Sequence, residues 1–242
     1  MNKPLNIAHR GFSGSYPENT MLAFRKAKEA GCDGFETDMH LTKDGYPVIC
    51  HDEKIDRTTN GTGFIKDYTF AELREFDAGI KRDKAFIGAK LPGIDEFFDL
   101  IKDSDLIVNI ELKNDLFEYP DLEKIVFQKI YEYKLKDRII ISSFNHYSIK
   151  RCIDLDPGIR TGLLYSNRIY KPGKYAKQMG ATAIHPNFRA FGKREAQDAF
   201  NEKIRINAWT INEVGDMKQM RDLGIDGIIT NYPNRLRKLL EK

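Results

Sequence analysis

The chain has 242 residues, 41% of them hydrophobic, and its 39 Lys and Arg against 36 Asp and Glu leave a formal net charge of +3. That is ample apolar material for a sizeable core and excludes a disordered chain, while the near balance of charge, without any basic run, argues against a nucleic-acid binder. Three cysteines, Cys32, Cys50 and Cys152, lack metal-type spacing and suit free thiols in a reducing, cytoplasmic setting. No apolar stretch approaches the roughly 18 residues of a membrane span, and the short lead from Met1 to His9 is expected to leave no room for a signal peptide.

In chain order, β-rich apolar runs alternate with helical patterns. Strands are predicted at Leu5 to Ala8, Gly34 to His40, Ile107 to Leu112, Ile139 to Ser143, Arg160 to Leu164, Ala183 to His185, Ile204 to Trp209 and Gly227 to Thr230. Helices are predicted at Met21 to Ala30, Ile94 to Ile101, Leu122 to Tyr133, Tyr147 to Leu155, Gly173 to Met179, Lys193 to Phe200, Glu213 to Leu223 and Asn234 to Leu240. Eight βα units imply an α/β fold with a parallel sheet, which can close into a (β/α)8 TIM barrel; an open doubly wound sheet is the structural rival.

The run Tyr46 to Cys50 reads as a hairpin strand beside strand two. The turn-rich stretch from Asp52 to about Pro92 breaks the alternation, with one short helical pattern at Phe70 to Glu75, and reads as an insertion after strand two that is too polar to form core and caps the barrel mouth. With no linker, repeat or low-complexity segment, residues 1–242 are expected to form a single domain carrying an inserted segment at about 52–92.

Strand two puts Glu36, Asp38 and His40 on one face by period-2 alternation, and strand three does the same with Asn109, Glu111 and Lys113. In a barrel the outer face packs the helices, so these charges point inward, where they need partners or a metal. A buried network of the three carboxylates with Lys113 and Arg10 is one reading; three carboxylates against two cations at the catalytic end of two strands make the stronger case for a metal site at Glu36, Asp38 and Glu111. Oxygen ligands suit Mg²⁺ or Ca²⁺ better than Zn²⁺.

His9 and His51, each beside a charged residue and near the same rim, are candidates for general base and general acid, whereas His40 and His146 read as structural. Arg10, Lys113 and a metal would clamp a phosphate or phosphoester. His185, at the end of the sixth predicted strand, and Trp209, which shares a face with Asn207, are candidate pocket residues. Asn60-Gly61-Thr62-Gly63 lacks the Gly-Lys-Ser/Thr of a phosphate loop, and Ser142-Ser143 lacks a nucleophile elbow.

The chain resembles the glycerophosphodiester phosphodiesterase family nearly end to end. The matching pieces are His9-Arg10-Gly11, Glu18-Asn19-Thr20, Glu36-x-Asp38, His51-Asp52, Asp56-Arg57-Thr58-Thr59 with Gly61 and Gly63, Glu111-x-Lys113, Asn207-x-Trp209-Thr210 and Asp226-Gly227-Ile228-Ile229-Thr230. The resemblance implies a (β/α)8 barrel with a small insertion after strand two. It implies a divalent ion on Glu36, Asp38 and Glu111, acid–base histidines at His9 and His51, and phosphate contacts from Arg10 and Lys113. The implied activity is metal-dependent hydrolysis of glycerophosphodiesters to sn-glycerol 3-phosphate and an alcohol, with a small-molecule substrate, no nucleic acid and no transmembrane segment. A homo-oligomer is left open. A phospholipase D-type enzyme acting on lysophospholipids or sphingomyelin is the alternative within this chemistry, and a non-catalytic metal- or phosphate-binding barrel the alternative outside it. One departure is Thr230-Asn231-Tyr232-Pro233, where the family commonly shows Thr-Asp-x-Pro; it puts in question an outer hydrogen bond from position 231.

Overall fold

The computed structural model describes residues 3–241. Its strands are β1 (Leu5–His9), β2 (Gly34–Leu41), β3 (Pro47–Ile49), β4 (Ile107–Leu112), β5 (Ile139–Ser143), β6 (Arg160–Tyr165), β7 (Ala183–Pro186), β8 (Arg205–Ala208) and β9 (Gly227–Thr230). All but β3 are parallel and follow the order β1-β9-β8-β7-β6-β5-β4-β2, and pairing of β1 with β2 shuts the ring into an eight-stranded TIM barrel. β3 lies antiparallel on β2, as the hairpin reading of Tyr46 to Cys50 expects.

The helices are α1 (Met21–Glu29), α2 (Phe70–Leu73), α3 (Ile94–Ile101), α4 (Leu122–Glu132), α5 (His146–Leu155), α6 (Pro172–Met179), α7 (Lys193–Asn201), α8 (Val214–Leu223) and α9 (Pro233–Leu240). Every predicted strand and helix is present, with ends shifted by a residue or two. At α5 the shift has a local cause: Asn145 caps the helix, its Oδ1 accepting from Tyr147 N at 3.1 Å, so the first turn starts at His146. No helix among the described residues is long and apolar enough to cross a membrane, and all three cysteines are free and buried.

Outward-facing strand residues such as Phe35, Val108, Ile110, Ile141, Leu163, Ile184 and Ile206 are fully buried against the helices. Phe24, Phe35 and Phe97 stack there, with the rings of Phe24 and Phe97 4.6 Å apart. Each such side chain contributes roughly 1.5–3 kcal/mol on burial, so the outer layer carries the stability of the fold.

The insertion differs from its sequence reading. Ile55, Ile65, Leu73, Ala78 and Leu91 of the insertion join Val48 and Cys50 of the β3 hairpin in a second buried apolar cluster, so the segment contributes a small core. Its helix α2 starts in a capping box in which Thr69 and Glu72 satisfy each other's backbone N–H groups. The segment leans on two loops at the C-terminal end of the barrel: Arg82 donates to Gly14 O, Phe86 packs on Tyr16, and Phe64 meets Phe117 edge-on at 5.3 Å.

Candidate active site

Period-2 alternation in β2 and β4 brings Glu36, Asp38 and Glu111 together inside the barrel, with Asp38 directly opposite Glu111 in the register. All three are buried, and one carboxylate oxygen from each lies within 4.8 Å of the others. Burial and the neighbouring Asp38 raise Glu36 well above the usual carboxylate range, and the same two causes push Glu111 up to about 7. Burial also opposes ionisation of Asp38, but Arg10, His51 and Lys113 hold it down at about 2. Asp38 Oδ1 has no protein partner. An all-oxygen donor set, mutually repelling and with a buried oxygen left over, fits a hard divalent cation.

His9 ends β1, with Nε2 3.8 Å from Glu36 Oε2 and Nδ1 2.6 Å from Asn231 Oδ1. The amide oxygen accepts, so the ring proton sits on Nδ1 and the Nε2 lone pair faces the carboxylates. Position 231 therefore keeps its hydrogen bond with an amide instead of a carboxylate. Burial and the adjacent Arg10 lower His9 to about 3. His51 follows β3, and its Nδ1 lies 2.6 Å from Asp52 Oδ1. Arg57 grips Asp52 from beyond, Nε on Oδ2 at 2.7 Å and Nη2 on Oδ1 at 3.0 Å, and donates to both oxygens of Glu18 at 2.9 and 2.8 Å. Glu18 in turn accepts from Arg10 Nη1 at 3.0 Å, and Arg10 Nε lies 3.3 Å from Asp38 Oδ2. A continuous chain of ion pairs thus links His51 to the carboxylate cluster.

Two backbone features support this chain. Arg10 and Asn19 both adopt left-handed conformations, φ 55° and 54°, and Asn19 N donates to Arg10 O at 3.0 Å. Asn19 Nδ2 then donates to Asp38 Oδ2 at 2.8 Å. A left-handed arginine costs conformational energy and persists because these contacts over-determine it.

A cavity of about 150 Å³ opens at this end, lined by His9, Arg10, Glu36, His51, Asn109 and Glu111 on one side and by Phe144, Leu164, Trp209, Thr210 and Ile229 on the other. Trp209 stands in its wall, held by a 2.7 Å bond from Nε1 to His185 O and edge-on to Phe144. The cavity lining bears on three sequence expectations. Lys113 gives one of its three N–H donors to Glu111, Nζ to Oε1 at 2.8 Å, and is not in the cavity lining. His185 lies below it, fully buried and paired with Asn207 Nδ2 at 3.0 Å, so it supports the wall instead of lining it. The expected cap is also absent from the wall, since no residue from 52 to 92 borders this cavity; the insertion forms a neighbouring groove with Tyr16 and Glu18.

The model of the glycerophosphoryl diester phosphodiesterase family matches residues 9–235. A glycerophosphodiester phosphodiesterase of Caldanaerobacter subterraneus subsp. tengcongensis is 43% identical over 99% of both chains. The chain belongs to the glycerophosphoryl diester phosphodiesterase family. As a member of that family it is a phosphodiester hydrolase. A second relative in the family, from Bacillus altitudinis, is 40% identical over 98% of both chains. Among solved structures, a phosphodiesterase of Oleispira antarctica in complex with the product sn-glycerol-3-phosphate superposes with a TM-score of 0.93 at 26% identity, covering 99% of this chain and 98% of that one. Glycerophosphoryl diester phosphodiesterases generally use a divalent metal, in keeping with the acidic cluster here.

Four contributors to this family member's site had no assigned role in the sequence reading: Glu18, Arg57, Asn19 and Asn231. His40, expected to be structural, is so in a specific way, because its Nε2 holds His51 O at 3.3 Å while Nδ1 meets the Tyr119 hydroxyl at 3.1 Å. The resemblance of Glu18-Asn19-Thr20 and Asp56-Arg57-Thr58-Thr59 to family motifs hinted at the first three of these contributors, and the departure at Thr230-Asn231-Tyr232-Pro233 pointed to position 231.

Proposed function

We propose that this chain, barrel and insertion acting as one domain, hydrolyses glycerophosphodiesters to sn-glycerol 3-phosphate and an alcohol, with a metal at Glu36, Asp38 and Glu111 and proton transfer by His9 and His51. The observation that carries the reading is the buried carboxylate cluster flanked by two histidines at the mouth of the barrel. A divalent ion held there, Mg²⁺ or Ca²⁺ by its oxygen donors, supplies Lewis-acid charge to the phosphate.

His9 acts as the base: with Nδ1–H given to Asn231 Oδ1, the Nε2 lone pair faces the carboxylates and can take a proton. His51 acts as the acid, with Asp52 at Nδ1 orienting the ring so that Nε2–H can be delivered to the departing alkoxide. Arg10 gives Nη1 to Glu18 and lies with Nε 3.3 Å from Asp38 Oδ2 without a hydrogen bond there, so its guanidinium keeps donor capacity for a phosphate oxygen. Lys113 acts on the phosphate through Glu111, by setting that carboxylate's position and charge.

The test is release of sn-glycerol 3-phosphate from glycerophosphocholine. Turnover should require Mg²⁺ or Ca²⁺, stop on chelation and return on add-back. Undiminished turnover after exhaustive chelation, with no metal found by elemental analysis, refutes the metal assignment; no turnover with any divalent ion refutes the substrate.

A further inference from the structure

Asn109 sits on β4 opposite Glu36 and two residues before Glu111, hence roughly 6 Å deeper along the strand. It is 1% exposed and borders the cavity, yet neither Oδ1 nor Nδ2 has a hydrogen-bond partner. Leaving both ends of a buried amide unmet is costly, so a side chain of this kind is expected to have a partner when the enzyme is at work. Ser142 Oγ and His185 Nδ1 are also unpaired in the lumen, but neither residue borders the cavity. Asn109 is thus a buried neutral polar group in the cavity lining, level with Glu36 and deeper than Glu111, whose hydrogen-bonding atoms the protein leaves unmet.

The chemistry of the amide narrows what it meets. It offers one acceptor and two donors and carries no charge, which matches a hydroxyl, able to give and take, better than a phosphate or a quaternary ammonium. The opposite wall, Phe144, Leu164 and Ile229, is apolar and suits a short carbon skeleton. Of the two ends of a glycerophosphodiester, the glycerol unit is the one that always carries free hydroxyls, so it is the end that suits this amide. We infer that Asn109 is a substrate-binding residue that hydrogen-bonds a hydroxyl of the retained glycerol unit and so selects polyol phosphodiesters. This rests on the glycerophosphodiester reading above.

The experiment compares glycerophosphocholine with its two mono-deoxy analogues, lacking the secondary or the terminal hydroxyl, in the parent, Asn109→Leu and Asn109→Ala, all with Mg²⁺. The parent should prefer glycerophosphocholine to at least one analogue by about 10- to 10²-fold in kcat/KM, the effect of leaving a buried amide unmet. Asn109→Leu should lose that factor on glycerophosphocholine and nothing on the analogue, so that the preference disappears. Its Tm should not fall, since an apolar group of similar size replaces an amide with no protein partner. Asn109→Ala gives the same comparison should leucine prove too bulky. Equal losses on all three substrates, or an undiminished preference in either variant, overturn the inference and leave the proposed function standing. A parent that turns over none of the three overturns both.

Discussion

Strands β1, β2 and β4 and strands β5 to β9 build the two sides of one barrel, yet only the first group and its loops line the mouth with acidic and basic side chains. His9, Glu36, Asp38, Glu111 and Lys113 come from or directly follow these three strands, and Arg10 and His51 from the loops beside them. The other side supplies Ser142, Gly162, Leu164, His185, Asn207 and Ile229, and burial alone keeps His185 neutral by lowering it to about 3. Glycines make room for its polar members: a Cβ at Gly162 would sit 2.6 Å from His185 Cε1, and one at Gly227 would overlap Asn207 Oδ1. The charged side is held by ion pairs and left-handed turns, the neutral side by packing. The two sides should therefore fail differently, one losing turnover with little loss of stability and the other the reverse.

The largest effect is expected from the histidines. His9→Ala or His51→Ala should lower kcat by about 10²–10⁴-fold while metal affinity and Tm change little, because proton transfer and ion binding fall to different residues. The double variant should lose less than the product of the two single losses, since acid and base act as a unit. Steady-state kinetics with calorimetric Mg²⁺ binding decides it; a variant that loses its metal together with its activity marks that histidine as a ligand.

How much of this was legible follows from the range of each contact. The barrel was legible because each strand carries its own short apolar run and each helix its own period. Glu36, Asp38 and Glu111 stood out because carboxylates on one face of an otherwise apolar strand have no cheap explanation there. The Lys113–Glu111 pair was visible in principle, two residues apart on one strand face. By contrast, Arg57 reaches Glu18 across 39 residues and Asn231 reaches His9 across 222, through loops whose paths no local pattern fixes. The core of the insertion was missed for a related reason: Ile55, Ile65, Leu73 and Leu91 follow neither period and meet only because the segment folds back on β3.

A smaller loss tests whether the insertion serves the charged side by holding His51 in place. Arg57→Leu removes the bridge between Asp52 and Glu18 at a half-exposed position, so its direct cost in stability should stay below about 1 kcal/mol. Freed of that bridge, the His51–Asp52 pair and Arg10 lose their common anchor, and misplacement by about 1 Å is enough to cost up to ~10²-fold. A fall in kcat/KM of about 10- to 10²-fold with Tm nearly unchanged is expected. Arg57→Lys, which can meet one carboxylate but not both bidentately, should fall between the two. A variant as active as the parent would mean that the ion-pair chain is only a surface feature and that β2 and β3 position His51 unaided.

The smallest effect on turnover and the clearest on stability should come from Gly162→Ala on the neutral side. The added methyl points into the His185 ring, which has to move and give up its 3.0 Å bond to Asn207. Overpacking of this kind costs about 1–3 kcal/mol. Because His185 lies outside the cavity wall, kcat/KM should change far less than with Arg57→Leu. His185→Ala leaves a void under Trp209 and destabilises for the opposite reason, too little volume instead of too much. The two changes share one space, so in the double variant the alanine at 162 should cost much less than it does alone, a coupling that urea denaturation of the four proteins measures. Additive losses would show that the imidazole is not what the glycine accommodates. A collapse of turnover in folded Gly162→Ala would erase the division between the two sides, making the neutral wall part of the chemistry.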